Sequence, residues 1–192
     1  MEETNNISPS GSKRVFAISG SLRLGSSNHV ILDALGKMMP SNITYIIYNG
    51  ISEIPAFNPG LDIDDPPAAV AAFRRQIADA DGIIICTPEY AYGVPGALKN
   101  ALDWTVSSAS FSGKLTALIT ASTGGENAHE ALIKILGAID ANLIKEATLL
   151  ISFVRSKMDD TGNITDKDTA RKLQTVFDVL QSHLNPPRQV GL

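Results

Sequence analysis

Residues 15–28, VFAISGSLRLGSSN, pass from four consecutive apolar residues into a loop of glycine, serine and arginine. Apolar side chains on successive positions mark a strand covered on both faces, as in a parallel sheet. The loop that follows carries Gly20 and Gly25, hydroxyl and amide donors from Ser21, Ser26, Ser27 and Asn28, and then a helical pattern. Glycines let backbone N–H groups turn toward an anion, and the N-terminus of a helix favours negative charge. With one cation, Arg23, this neutral-donor loop matches a single terminal phosphate.

The same alternation continues outward from that unit. Val15–Ile18, Ile43–Ile47, Ile83–Cys86 and Leu115–Ile119 read as central parallel strands, and a fifth, edge strand is expected between Leu143 and Phe153, interrupted by Lys145 and Glu146. Between them, Ile31, Leu35 and Met38 share one helical face, as do Val70, Phe73 and Ile77 after a Pro66-Pro67 start with Asp65 as the expected cap. Leu132, Ile135, Leu136 and Ile139 form a third stripe, and Leu173, Phe177, Leu180 and Leu184 a fourth, with Thr165 and Asp168 as its expected cap. A helix over Gly96–Trp104 completes the set. Right-handed crossovers between five such strands point to a flavodoxin-like three-layer α/β/α fold, with a five-stranded parallel sheet of order 2-1-3-4-5. The polar stretches 1–12 and 185–192 read as flexible tails around one domain spanning 13–184.

Composition agrees with one globular domain. A chain of 192 residues with 44% apolar and 19% charged residues carries enough core to fold without a metal or disulfide staple. Sixteen Lys and Arg against twenty Asp and Glu leave a net charge of -4 and no basic run, which argues against nucleic acid as a partner. One cysteine, Cys86, cannot form an intrachain disulfide, and residues 1–14 lack the charged-then-apolar pattern of a secretory signal, so a cytoplasmic location is expected. No apolar run approaches the roughly 18 residues that span a bilayer, so membrane insertion is not expected. CxxC and HExxH are absent, and His29, His129 and His183 lie far apart on separate predicted helices, so no metal site is expected.

In an open α/β sheet ligands bind beyond the carboxyl ends of the strands, where the strand order reverses, here between the first and third strands. Three loops reach that rim: Gly20–Asn28, Thr87–Pro95 and Ser122–Asn127. Gly20 and Gly25 have the spacing of a nucleotide triphosphatase loop, but Ser26 and Ser27 replace its Lys and Ser/Thr, and Leu22 breaks a GxGxxG fingerprint. Taken alone, the first loop equally reads as a helix cap and turn, Arg23 as a surface charge, and Tyr90 and Tyr92 as half-buried aromatics. Cys86 reads as core packing, Lys99, Asn100 and Asp103 as packing or subunit contacts, Trp104 as core or interface, and Asp62-Asp64-Asp65 as a solvated turn.

The stretches GSLRLGSSN (20–28) and PEYAYGVPGALKNALDW (88–104), with the glycine-containing segment before the fourth stripe, resemble the NADPH-dependent FMN reductase family over about residues 13–155. The resemblance implies non-covalent FMN as cofactor, with NADPH or NADH as co-substrate and a small-molecule electron acceptor such as a quinone, free flavin or azo compound. By the same resemblance Ser21, Arg23, Ser26, Ser27 and Asn28 hold the FMN phosphate. Pro88, Glu89, Tyr90, Ala91 and Tyr92 line the flavin ring edge, and Ser122, Thr123 and Gly124 its other side. Many members carry Asn in place of Ala91 and Ser in place of Gly93. The family implies a homodimer or homotetramer, and no catalytic side chain, because flavin carries the chemistry. Backbone amides of Gly93, Gly124 and Gly125 are candidates to stabilise the charge of reduced flavin. Two further readings stay open: an FMN-binding electron carrier without NAD(P)H turnover, which calls for a strongly acidic docking face, and a module that senses a phosphorylated metabolite.

Overall fold

The computed structural model describes residues 12–159 and 161–186. Most of the two expected tails, 1–11 and 187–192, therefore lies outside the described residues. Five strands, β1 (Lys13–Ser19), β2 (Ile43–Tyr48), β3 (Gly82–Thr87), β4 (Leu115–Ala121) and β5 (Asn142–Ile151), form one parallel sheet in the order β2-β1-β3-β4-β5. Five helices alternate with them: α1 (Ser27–Met38), α2 (Ala68–Ala78), α3 (Gly96–Asp103), α4 (Glu126–Ala138) and α5 (Lys167–Leu184).

The strands are apolar on both faces because each face has its own core. Val15, Ala17, Ile84, Cys86, Ala117 and Ile119 point to the layer of α1 and α5, where they meet Ile31, Leu35, Leu173 and Leu180. The alternate residues Phe16, Ile18, Ile83, Ile85 and Leu118 point to the layer of α2, α3 and α4, against Val70, Phe73, Ile77, Leu98 and Leu132. Each fully buried Val, Ile, Leu or Phe among them contributes roughly 1.5–3 kcal/mol from the water-excluded area. The reversal from leftward to rightward winding falls between β1 and β3, so the loops after these strands flank a crevice.

Four local expectations are corrected. Ile43–Ile47 lies at the sheet edge rather than its centre, because β2 pairs only with β1, and Tyr45 to Tyr48 are accordingly only partly buried. The cap of α2 is Pro67 without a side-chain hydrogen bond, not Asp65. At α5 the cap is Asp166, whose carboxylate accepts from the Thr169 amide at 2.8 Å and from the Thr169 hydroxyl at 2.6 Å, so the Thr165/Asp168 box does not form. The acidic run before α2 is not wholly solvated: Asp62, with its side chain 8% exposed, pairs with Arg74 of α2. That Arg74 also donates to the Trp104 carbonyl and to Ser107 Oγ, so one guanidinium joins the 62–66 segment to α2 and to the end of α3. At β5, the expected edge strand forms, and the Lys145-Glu146 interruption is absorbed as an irregularity that leaves both side chains exposed.

Candidate active site at the sheet rim

The first loop leaves β1 through Gly20, whose amide donates to the Cys86 carbonyl of β3 at 2.8 Å. A Cβ at this position would lie 2.2 Å from Thr87 Oγ1, so only glycine lets the two strand ends approach this closely. Ser26 then caps α1, accepting from the His29 amide at 3.3 Å. The amides of Ser27 and Asn28, in the first turn, have no carbonyl four residues back within the helix, and both residues line the rim cavity. Asn28 itself is buried, and its side chain is committed: Nδ2 donates to the Ala121 carbonyl at 3.2 Å and Oδ1 accepts from the Cys86 thiol at 3.2 Å. Burial pushes the Cys86 thiol pKa well above its ordinary value, so this sulfur stays protonated and packs the core.

After β3, Tyr90 and Gly93 exchange both amide hydrogen bonds, each 3.0 Å, around Ala91 and Tyr92 at φ of 48° and 61°. This is a two-residue hairpin of type I′ twist, and it turns both tyrosines outward. Tyr90 is 55% and Tyr92 83% exposed, rather than half-buried, because the hairpin projects beyond the sheet edge. The Gly93 amide is used within the hairpin and is not available to a ligand. Glu89 turns its carboxylate to the start of α4, where Oε2 accepts from the Ala128 amide at 2.9 Å. Its amide donates to Ser122 Oγ at 3.2 Å, fixing the second loop to the third. Helix α4 needs that outside acceptor because its cap, Gly125 at φ of 120°, has no side chain and sits where a Cβ would come 2.9 Å from Leu150.

These loops enclose a cavity of about 360 Å³. Of the candidate residues, Ser21, Arg23, Ser26, Ser27 and Asn28 line it from the first loop, Pro88, Glu89 and Tyr90 from the second, and Ser122 and Thr123 from the third. Ala91, Tyr92 and Gly124 do not line it. The wall also includes Ala121, Val154 and Arg155. Val154 and Arg155 come from a 3-10 turn after β5, tied to the third loop by Phe153 and Val154 amides donating to the Thr123 and Ser122 carbonyls, both at 3.0 Å. The available signal was topological: every parallel strand delivers its following loop to the same edge, so a cation four residues past β5 belongs on the rim. The residues resembling the family motif behind the rim are structural, with Lys99 pairing to Asp103, and with Asn100 and the fully buried Trp104 anchoring the 55–57 segment. Among the described residues there is no group of three His, Cys, Asp or Glu able to hold a metal, and no helix is long and apolar enough to cross a membrane.

A doubly wound flavodoxin-like sheet with hydroxyls, helix-start amides and guanidinium groups around a switch-point cavity defines a binder of phosphorylated flavin or nucleotide. The donor set fits a phosphate monoester, since neutral donors and Arg surround the opening of α1. The chain belongs to the NADPH-dependent FMN reductase family, whose sequence profile matches residues 13–155, and it is an FMN-dependent NAD(P)H oxidoreductase. It is 36% identical over 171 residues to a 2-hydroxy-1,4-benzoquinone reductase of Burkholderia sp, covering 86% of this chain and 92% of that one. It is 34% identical over 163 residues to a quinone reductase of Escherichia coli (strain K12), covering 81% and 87%. Among solved structures, FerB, a flavoenzyme NAD(P)H:(acceptor) oxidoreductase from Paracoccus denitrificans, superposes with a TM-score of 0.78 at 28% identity, covering 90% of this chain and 97% of that one.

Proposed function

We propose that this enzyme reduces quinones, and that the rim cavity is where FMN sits. When bound there, FMN would supply the hydride-transfer chemistry between NAD(P)H and an acceptor. The first loop holds the phosphate through Ser21 and Ser27 hydroxyls, the Ser27 and Asn28 amides and Arg23, while Ser26 and the Asn28 side chain shape the loop rather than touch the ligand. Pro88, Glu89 and Tyr90 line one side of the ring and Ser122 and Thr123 the other, with Ala91, Tyr92 and Gly124 next to them in the chain but outside the cavity lining. The exposed ring of Tyr90 in the cavity lining, with that of Tyr92 two residues on, offers a stacking surface to flat aromatic substrates. The benzoquinone and quinone reductases to which the chain is similar support the acceptor class. Self-association as a dimer or tetramer and a cytoplasmic location complete the proposal.

The observation that carries this reading is the meeting of three separate loops on one cavity beyond β1, β3 and β4. Its test is the absorption spectrum of the purified protein followed by NADPH oxidation with a benzoquinone acceptor. A yellow protein whose NADPH oxidation depends on FMN and quinone is expected. Colourless protein whose melting temperature ignores added FMN, and which does not oxidise NADPH with FMN present, overturns it.

A further inference from the structure

We propose that Arg155 joins Arg23 in a two-guanidinium clamp on the phosphate of FMN, making the turn after β5 a fourth part of the binding site. The inference rests on the reading that the phosphate lies in the first loop. Arg23 and Arg155 line the rim cavity together, and they also form the wall between it and a neighbouring cavity of about 320 Å³ that runs over Gly25, Met158 and Gly162. The two side chains therefore approach the start of α1 from opposite ends of the chain. Among the described residues neither guanidinium has a carboxylate within ion-pair distance.

Charge balance is the physical reason. A phosphate monoester carries about -1.5 to -2 at neutral pH. The Ser21 and Ser27 hydroxyls and the first-turn amides are neutral donors, and Glu89 in this wall and Asp159 in the wall of the neighbouring cavity add negative charge. Arg23 alone leaves the site short of positive charge, and Arg155 supplies the balance with a fork that matches phosphate oxygens. Its backbone is fixed for the task. The Phe153 and Val154 amides bond to Thr123 and Ser122 carbonyls at 3.0 Å, and Phe153 adopts φ of 53°, an unusual conformation that turns the chain back over the third loop. Both guanidiniums are exposed, so solvent screening limits the gain.

The experiment compares FMN and riboflavin, which lacks the phosphate, by fluorescence titration of the wild type, Arg155→Ala and Arg155→Lys. Wild type is expected to prefer FMN. Arg155→Ala is expected to weaken FMN by about tenfold, less at high salt, with riboflavin affinity unchanged, and Arg155→Lys to fall between. An unchanged FMN affinity in Arg155→Ala overturns the clamp, as does an equal loss for riboflavin, which would place Arg155 on the ring, or a rise confined to the KM for NADPH. A wild type that binds FMN no better than riboflavin overturns the phosphate reading itself, and the clamp with it. An FMN preference left intact in Arg155→Ala overturns the clamp alone.

Discussion

Gly20 and Ala91 show how single residues set the rim. Because the Thr87 side chain fills the place a methyl would take beside Gly20, Gly20→Ala forces β1 and β3 apart at the mouth of the cavity. The expected cost is about 1–3 kcal/mol in urea unfolding, together with weaker FMN binding in fluorescence titration. Ala91 and Tyr92 carry the opposite problem, occupying left-handed positions without being glycine. Each such residue costs roughly 1–2 kcal/mol, and Asn tolerates the conformation better than Ala. Ala91→Asn is therefore expected to stabilise the protein by about 0.5–1 kcal/mol, read as a rise in Tm. Asn28 is a third case: its side chain type matches the family motif, yet its hydrogen bonds go to Ala121 and Cys86, residues 93 and 58 positions away.

At the level of elements, α4 begins without a capping side chain of its own and borrows one from the loop after β3. Glu89→Ala leaves the Ala128 amide without that acceptor, and a loss of about 1 kcal/mol in chemical denaturation is expected, whereas Glu89→Gln keeps an acceptor oxygen and most of the stability. The helices were legible from periodicity: Val70, Phe73 and Ile77, spaced for one face, are all fully buried. Their caps were less so. The Asp166 cap of α5 lies between the two residues the sequence pattern favoured, because several short polar side chains precede the helix and only the backbone path selects one.

Across the whole molecule, stability is expected to fall on acidification in two stages. Burial lowers the pKa of His129, which bonds Thr120 Oγ1 at 2.8 Å, so its contribution is present above about pH 6.5 and is lost as pH falls through the lowered folded value. The hydrogen bond from Arg74, with a second from Ser107, holds the Asp62 carboxyl below its usual range. Its contribution is present above about pH 4, the unfolded value, and is lost as pH falls through the lower folded one. Urea midpoints measured from pH 7 to pH 3 are expected to decline accordingly. Asp62→Asn should reduce the lower stage, to which Asp81 also contributes, and cost about 1 kcal/mol at pH 7, because Arg74 loses its carboxylate but keeps its bonds to the Trp104 carbonyl and Ser107.

Sequence alone determined the order of strands and helices, the faces they bury and the three loops that would reach one rim. Those properties follow from local periodicity and from the handedness of crossovers, which neighbours in the chain suffice to express. Tertiary structure decided which side chains remain available there. It committed the Asn28 side-chain amide and the Gly93 N–H to internal hydrogen bonds, turned Tyr90 and Tyr92 outward, paired Asp62 with Arg74, and brought Arg155 to the cavity that Arg23 lines. Each of these outcomes depends on a partner distant in sequence or on the path of a turn, and neither leaves a periodic trace in the residues themselves.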